Sequence, residues 1–346
     1  MIQSAIAFVC PLCKGPLESS VLRYSCVACW REYPICCGIP DFRIEPDPYI
    51  SIDDDRRKGE ALQRAAERLS FGELLSHYYA ITPEDPPELG ARWTARALAE
   101  VSIAESLLRD SGLLPPPVNG TLLDVGCSTG ALLIATSVAY PTVVGLDIAF
   151  RWLVVGDRRL REANVGALLV CANAEHLPFR DRSFNVITCI DVVEHVRDPQ
   201  AAFLDAYRVS APRGILLCAA NNRYAPLPEP NIHLWGVGFV PRRWQARYVA
   251  ARLPALLPYR IRLRGPLELR RFARSGGYRD VRVDPAPLAA PRWKGTLLQT
   301  AIAIYNAARA VPVIRRLLTW VGPRLRITAS RPGEEVQAPA TASLAP

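Results

Sequence analysis

Leu122-Leu123-Asp124-Val125-Gly126-Cys127-Ser128-Thr129-Gly130 reads as an apolar strand ending in a carboxylate, then a glycine-rich turn, then the start of a helix. Glycines let a backbone approach a ligand closely, and the first helical turn beyond leaves N–H donors free. The offsets Gly-Cys-Ser-Thr-Gly differ from the G-x-G-x-x-G spacing that receives a dinucleotide's pyrophosphate. The next apolar run, TVVGLDI at residues 142–148, closes on Asp147, 23 residues after Asp124. A carboxylate at that strand end suits two ribose hydroxyls, so the two strand ends together point to an adenosyl ligand without phosphates. Working outward, ALLIATSVA reads as a helix, and another helix starts near Phe150. ALLVCAN and FNVITCID read as strands, a helix starts near Pro199, and GILLCAAN is again a strand. Short apolar strands interleaved with helices predict an α/β fold with a doubly wound, largely parallel sheet.

Three further stretches extend the pattern: Asn173-Ala174-Glu175-His176-Leu177-Pro178-Phe179, then FNVITCID running into Val192-Val193-Glu194-His195-Val196, then Ala211-Pro212-Arg213-Gly214. With the glycine loop, this series resembles the class I S-adenosylmethionine-dependent methyltransferases. The likeness is to the type 11 branch, which holds ubiquinone/menaquinone-biosynthesis C-methyltransferases and many small-molecule O-methyltransferases. The resemblance implies a Rossmann-like seven-stranded sheet in which Asp124, Gly126, Cys127, Ser128 and Gly130 wrap the amino-acid part of the cofactor. It implies that Asp147, with Ile148, holds the ribose, that Asn173, Ala174 and Glu175 flank the adenine, and that Asp191 closes the fourth strand at the site. Asn173 and Asn185 stand where the family usually carries Asp, exchanging a charge for a donor. Ser275-Gly-Gly-Tyr-Arg-Asp-Val resembles the sixth strand, and residues 325–331 the antiparallel seventh, which leaves residues 295–321 as an inserted helical pair.

Near the N-terminus, Cys10-Pro-Leu-Cys13 and Cys26-Val-Ala-Cys29 are two CxxC pairs with twelve residues between them. Each pair presents two thiolates from one tight turn, and two such turns complete a closed, structural Zn²⁺ shell. A unit this small needs the metal to order itself, while the competing reading of a CxxC is a redox pair. Cys36 and Cys37 are adjacent and read as packing residues. The segment through YPICCGIPDFR resembles the zinc-ribbon modules found with some methyltransferases, where the ribbon is a separate partner, a substrate-binding appendage or a structural cap.

Methyl transfer needs donor and acceptor aligned, and an O–H or C–H acceptor also needs a base. His195 and His233 are the candidates: the first follows the fourth strand, the second lies in a segment that the resemblance implies forms a substrate lid. Each also reads as a bracing or packing histidine. No Asn/Asp-Pro-Pro-Tyr sits at the fourth strand, which disfavours amino methylation of adenine or glutamine, and no Pro-Cys follows it, which disfavours cytosine-C5 chemistry.

The 346 residues, half of them hydrophobic, suffice for a real core, and 22% charged residues argue against a wholly disordered chain. The start of the sequence has no basic leader, and no run of about 18 apolar residues occurs, so a cytoplasmic protein, free or peripheral on a membrane, is expected. The net charge of +9 is uneven: residues 242–331 carry 20 basic and three acidic residues, a local +17 that leaves −8 for the rest. Such a field suits an anionic partner: a phospholipid surface, a lipid-linked substrate or nucleic acid. Residues 242–253 place Trp244, Tyr248 and Ala251 on one face, and residues 296–321 are largely apolar but interrupted by Arg309, Arg315 and Arg316. Both stretches fit helices in a lipid headgroup layer, and both fit ordinary lid and core helices. The expected layout is a ribbon at 1–46, a linker with a lead-in helical pattern at 47–90 (charge-rich over residues 56–75), a methyltransferase domain at 91–331 and a disordered tail at 332–346. The expected function is methyl transfer from S-adenosylmethionine to an oxygen or carbon of a small or lipid-linked molecule. The alternatives are rRNA or tRNA methylation and a non-catalytic cofactor-binding scaffold.

Overall fold

The computed structural model describes residues 6–82, 87–116, 120–230, 232–253, 260–289 and 295–333. The expected tail therefore lies almost wholly outside the described residues. The chain starts with four short strands, β1 (Leu17–Ser19), β2 (Arg23–Cys26), β3 (Glu32–Cys36) and β4 (Ile39–Pro40), paired antiparallel in that order. Three helices follow, α1 (Ile52–Ala66), α2 (Phe71–Ala80) and α3 (Pro87–Asp110). The single helical pattern expected over residues 56–75 is broken because Ser70 and Glu73 form a reciprocal capping box that starts a new helix.

The main sheet is built from β5 (Thr121–Val125), α4 (Ala131–Ser137), β6 (Thr142–Asp147), α5 (Phe150–Glu162), β7 (Leu168–Cys171), β8 (Phe184–Ile190), α6 (Pro199–Val209) and β9 (Ser210–Asn221). It continues through α7 (Arg242–Ala250), α8 (Pro266–Ser275), β10 (Arg279–Pro285), α9 (Thr296–Ala308), α10 (Pro312–Val321) and β11 (Arg324–Ser330). The spatial order is β10-β11-β9-β8-β5-β6-β7, with β11 antiparallel to both neighbours and the remaining central pairs parallel. The doubly wound α/β expectation holds, as does the antiparallel last strand following a helical pair. The sixth strand starts later than its motif, because Ser275 ends α8 and Gly276 to Tyr278 turn the chain, with Tyr278 fully buried. From β5 the chain runs outward through β6 and β7, then returns to β8 on the other side of β5. That reversal opens a crevice at the carboxyl ends of β5 and β8.

The N-terminal strands do not form a separate bead. Phe42 N–H donates to Cys171 O at 2.7 Å and Val9 N–H to Pro178 O at 3.0 Å, so the ribbon covers the otherwise open edge at β7. Ile6, Tyr33 and Phe42 belong to the same buried cluster as Val170 and Phe179 of the sheet. The Phe8 ring lies 5.0 Å from Phe42 and 5.8 Å from Phe179. Cys36 and Cys37 pack against a second cluster on the other face, with Leu62, Phe150 and Val154.

Candidate functional site

A cavity of about 710 Å³ opens at the carboxyl ends of β5, β6 and β8. Its wall includes Asp124, Gly126, Cys127, Ser128, Asp147, Ile148, Asn173, Ala174, Glu175, Asp191 and His195, so the topology brings these predicted residues together. Gly126 has φ +79, and a Cβ there would lie 2.1 Å from Val192 Cγ2, so the turn admits only glycine. Gly130 does not line the cavity. It sits behind the loop at the start of α4 in the left-handed region, with Leu160 and Leu133 against it.

Asp147 braces the turn. Its Oδ2 accepts from Ser128 N–H and its Oδ1 from Ala149 N–H, both at 2.8 Å, which leaves further lone pairs free. Burial raises its pKa. Asp124 lies deeper, accepting from Thr188 Oγ1 at 2.7 Å, and burial pushes it up to about 7. A buried acid whose pKa rises on folding adds stability that is complete below the unfolded value of about 3.9 and is lost as pH climbs through the folded value. Without a ligand, stability should therefore fall between about pH 4 and pH 7. Asp124→Asn should flatten that slope in urea unfolding across a pH series, and an unchanged slope would refute a buried acid whose pKa rises on folding.

Asn173 is buried, its Oδ1 accepting from Ile44 N–H (2.9 Å) and Glu45 N–H (3.1 Å) while its Nδ2 donates to Glu45 O (3.1 Å). An aspartate would set an oxygen against that carbonyl, which gives asparagine here a physical reason. The residue clamps the chain leaving the ribbon to the cavity wall. Glu175 Oε1 accepts from Arg197 N–H at 2.9 Å, and Asp191, at φ +57, pairs with Arg324 of β11 at 2.7 Å.

His195 stands on the cavity rim with part of its surface exposed, and desolvation of the ring lowers its pKa against the opposing charges of Asp191 and Asp47, favouring the neutral form. His233 is not brought to the cavity. It is exposed in a left-handed turn, with its N–H bonded to Glu229 O at 2.8 Å.

Several site residues escaped the sequence reading. Asp47 and Tyr49 line the cavity from the segment after the ribbon. Arg43, with no exposed side-chain surface, pairs with Asp41 (2.7 Å) and Asp55 (2.6 Å) and donates to Ile148 O at 3.2 Å. Arg151 pairs with Asp55 and Asp47. Glu194 is buried, its Oε1 accepting from Asn221 Nδ2 at 3.0 Å and its Oε2 without a hydrogen-bond partner among the described residues. Burial, reinforced by Asp191, pushes its carboxyl up to about 7. The available signal was an acid flanked by apolar residues in Val192-Val193-Glu194-His195-Val196.

In the ribbon, the sulfurs of Cys10, Cys13, Cys26 and Cys29 all lie within 4.8 Å of one another. The Cys10–Cys29 and Cys13–Cys26 sulfurs are 3.6 and 3.4 Å apart, close to the roughly 3.8 Å edge of a tetrahedron with Zn–S bonds of about 2.3 Å. The four thiols fit a zinc ion, which they would close off from catalysis.

A family model described as a methyltransferase domain matches residues 123–218. The chain is similar to the ubiquinone/menaquinone biosynthesis C-methyltransferase of Bartonella quintana (strain Toulouse), at 34% identity over 142 residues, covering 38% of this chain and 54% of that protein. It is 30% identical over 174 residues to the demethylmenaquinone methyltransferase of Roseiflexus sp. (strain RS-1), covering 49% of this chain and 72% of that protein. It is 34% identical over 106 residues to the ubiquinone biosynthesis O-methyltransferase of Pseudomonas putida (strain W619), covering 30% and 44%. The chain thus spans about half the length of the first of these relatives. Strand order, glycine loop and these likenesses agree: the chain belongs to the class I S-adenosylmethionine-dependent methyltransferase family.

Proposed function

We propose that the protein transfers the methyl group of S-adenosylmethionine to an oxygen or carbon atom of a small or lipid-linked acceptor, working in the cytoplasm or peripherally on an anionic membrane. The observation that carries this reading is one cavity holding the glycine turn, the Asp147 carboxylate and the His195 ring. When bound, the cofactor supplies an electrophilic methyl group. Asp147 offers its remaining lone pairs to the ribose diol, and the turn at Gly126 to Ser128 offers backbone close to the amino-acid end. Asn173 to Glu175 border the base. His195, favoured neutral, takes a proton from an acceptor hydroxyl or acidic C–H at a ring nitrogen. Relatives named for ubiquinone and menaquinone biosynthesis support a small-molecule acceptor. His233 enters only if its loop folds over the mouth, and its place away from the cavity wall argues for a lesser part.

Calorimetry tests the cofactor half. Asp147→Ala should weaken S-adenosylmethionine binding at least about tenfold, as expected for loss of charge-assisted hydrogen bonds. Undiminished binding in this variant, or none by the parent, defeats the assignment.

A further inference from the structure

No residue of α9 or α10 is buried. On α9, Leu297 (89% exposed), Ala301 and Ile304 (65%) share one stripe. On α10, Val313 (76%), Leu317 (61%) and Trp320 share another, widened by Ile314 and Val321 to about 120° of the helix surface. By the same helical spacing, Arg315 and Arg316 fall beyond its two borders. The alternative of an ordinary core pair is thereby excluded. The helices meet at a bend of 119°, and among the described residues no single helix is long and apolar enough to cross a membrane.

Other residues of α9 and its end hold the cavity wall. Tyr305 Oη donates to Ala286 O (3.0 Å), Asn306 exchanges two hydrogen bonds with the backbone of Leu288 (2.8 and 3.1 Å), and Arg309 Nε donates to Pro285 O (2.9 Å). Ala286 and Leu288 line the cavity. The hairpin is thus fixed to the site while its apolar stripes meet solvent.

We infer that the α9–α10 hairpin is an interfacial anchor that lies in the headgroup layer of an anionic phospholipid bilayer and holds the cavity mouth against it. Charge selects this occupant. Residues 295–321 contain no acid, and while Arg309 is held by Asp110 at 2.8 Å, Arg315 and Arg316 are exposed beside the α10 stripe, within the +17 segment. A second copy would bring the same positive surface against itself, whereas an anionic bilayer takes up both the apolar stripes and the guanidinium groups. The use of the anchor, delivering an amphiphilic acceptor to the cavity, rests on the lipid-linked reading above; the bilayer contact does not.

Co-sedimentation with phosphatidylglycerol/phosphatidylcholine vesicles, beside phosphatidylcholine alone, tests the inference across a salt series. The parent should bind the anionic vesicles and keep part of that binding at about 0.5 M salt, because buried apolar surface is not screened. Val313→Glu/Leu317→Glu, at exposed positions, should bind at least about tenfold more weakly with unchanged melting and cofactor calorimetry. No vesicle binding by the parent, equal binding by the variant, or a concentration-dependent dimer that the variant dissolves would overturn the anchor. Cofactor binding measured on the same samples separates that failure from failure of the methyl-transfer reading.

Discussion

Asp55→Ala should lower the unfolding free energy by about 3–5 kcal/mol, the range expected when one partner of a buried ion pair is removed. The carboxylate is fully buried and accepts from Arg43 Nη1 at 2.6 Å, Arg151 Nη1 at 2.8 Å and Phe150 N–H at 2.8 Å. It stands in for a local cap, since the residue before α5, Ala149, has no side-chain acceptor of its own. Truncation strips a partner from two guanidinium groups and one from the first turn of the helix. Asp55→Asn should lose less, because its amide oxygen still accepts from that turn. Urea denaturation decides it, and a loss below about 1 kcal/mol would show that Asp41 and Asp47 alone hold the two arginines. Arg43 also donates to Ile148 O beside Asp147, so the same variant should bind S-adenosylmethionine more weakly.

Metal removal is the second large effect. One zinc per chain is expected, retained in Cys36→Ser/Cys37→Ser and lost in Cys10→Ser, as metal analysis will show. Because a four-thiolate site contributes directly to folding, Cys10→Ser should cost at least about 3 kcal/mol. The loss should not stay in the ribbon. Phe42 and Tyr33 share a core with Val170 and Phe179, and the ribbon closes the β7 edge, so calorimetry should show the whole molecule melting earlier in one transition. A ribbon that melts alone while the sheet transition stays put would contradict the shared core. Asp47 and Tyr49, which continue from the ribbon into the cavity wall, make weaker cofactor binding a companion result.

What the sequence determined by itself was local. Apolar runs of strand length, the turn chemistry around Gly126 and the carboxylates at Asp124 and Asp147 are written within a few residues each, and they suffice for the succession of strands and helices along the chain and for the floor of the cavity. The two CxxC pairs are equally local, because metal geometry constrains spacing. Only the tertiary structure decided which distant groups meet. Arg43 and Ile148, Asp55 and Phe150, Asn173 and Glu45 are about a hundred residues or more apart, and no periodicity signals such pairs. The same holds for the helical insertion, whose apolar composition suited either a core or a membrane. Composition records what a side chain is, whereas burial depends on what the fold sets against it, and here the fold leaves Val313 and Leu317 exposed.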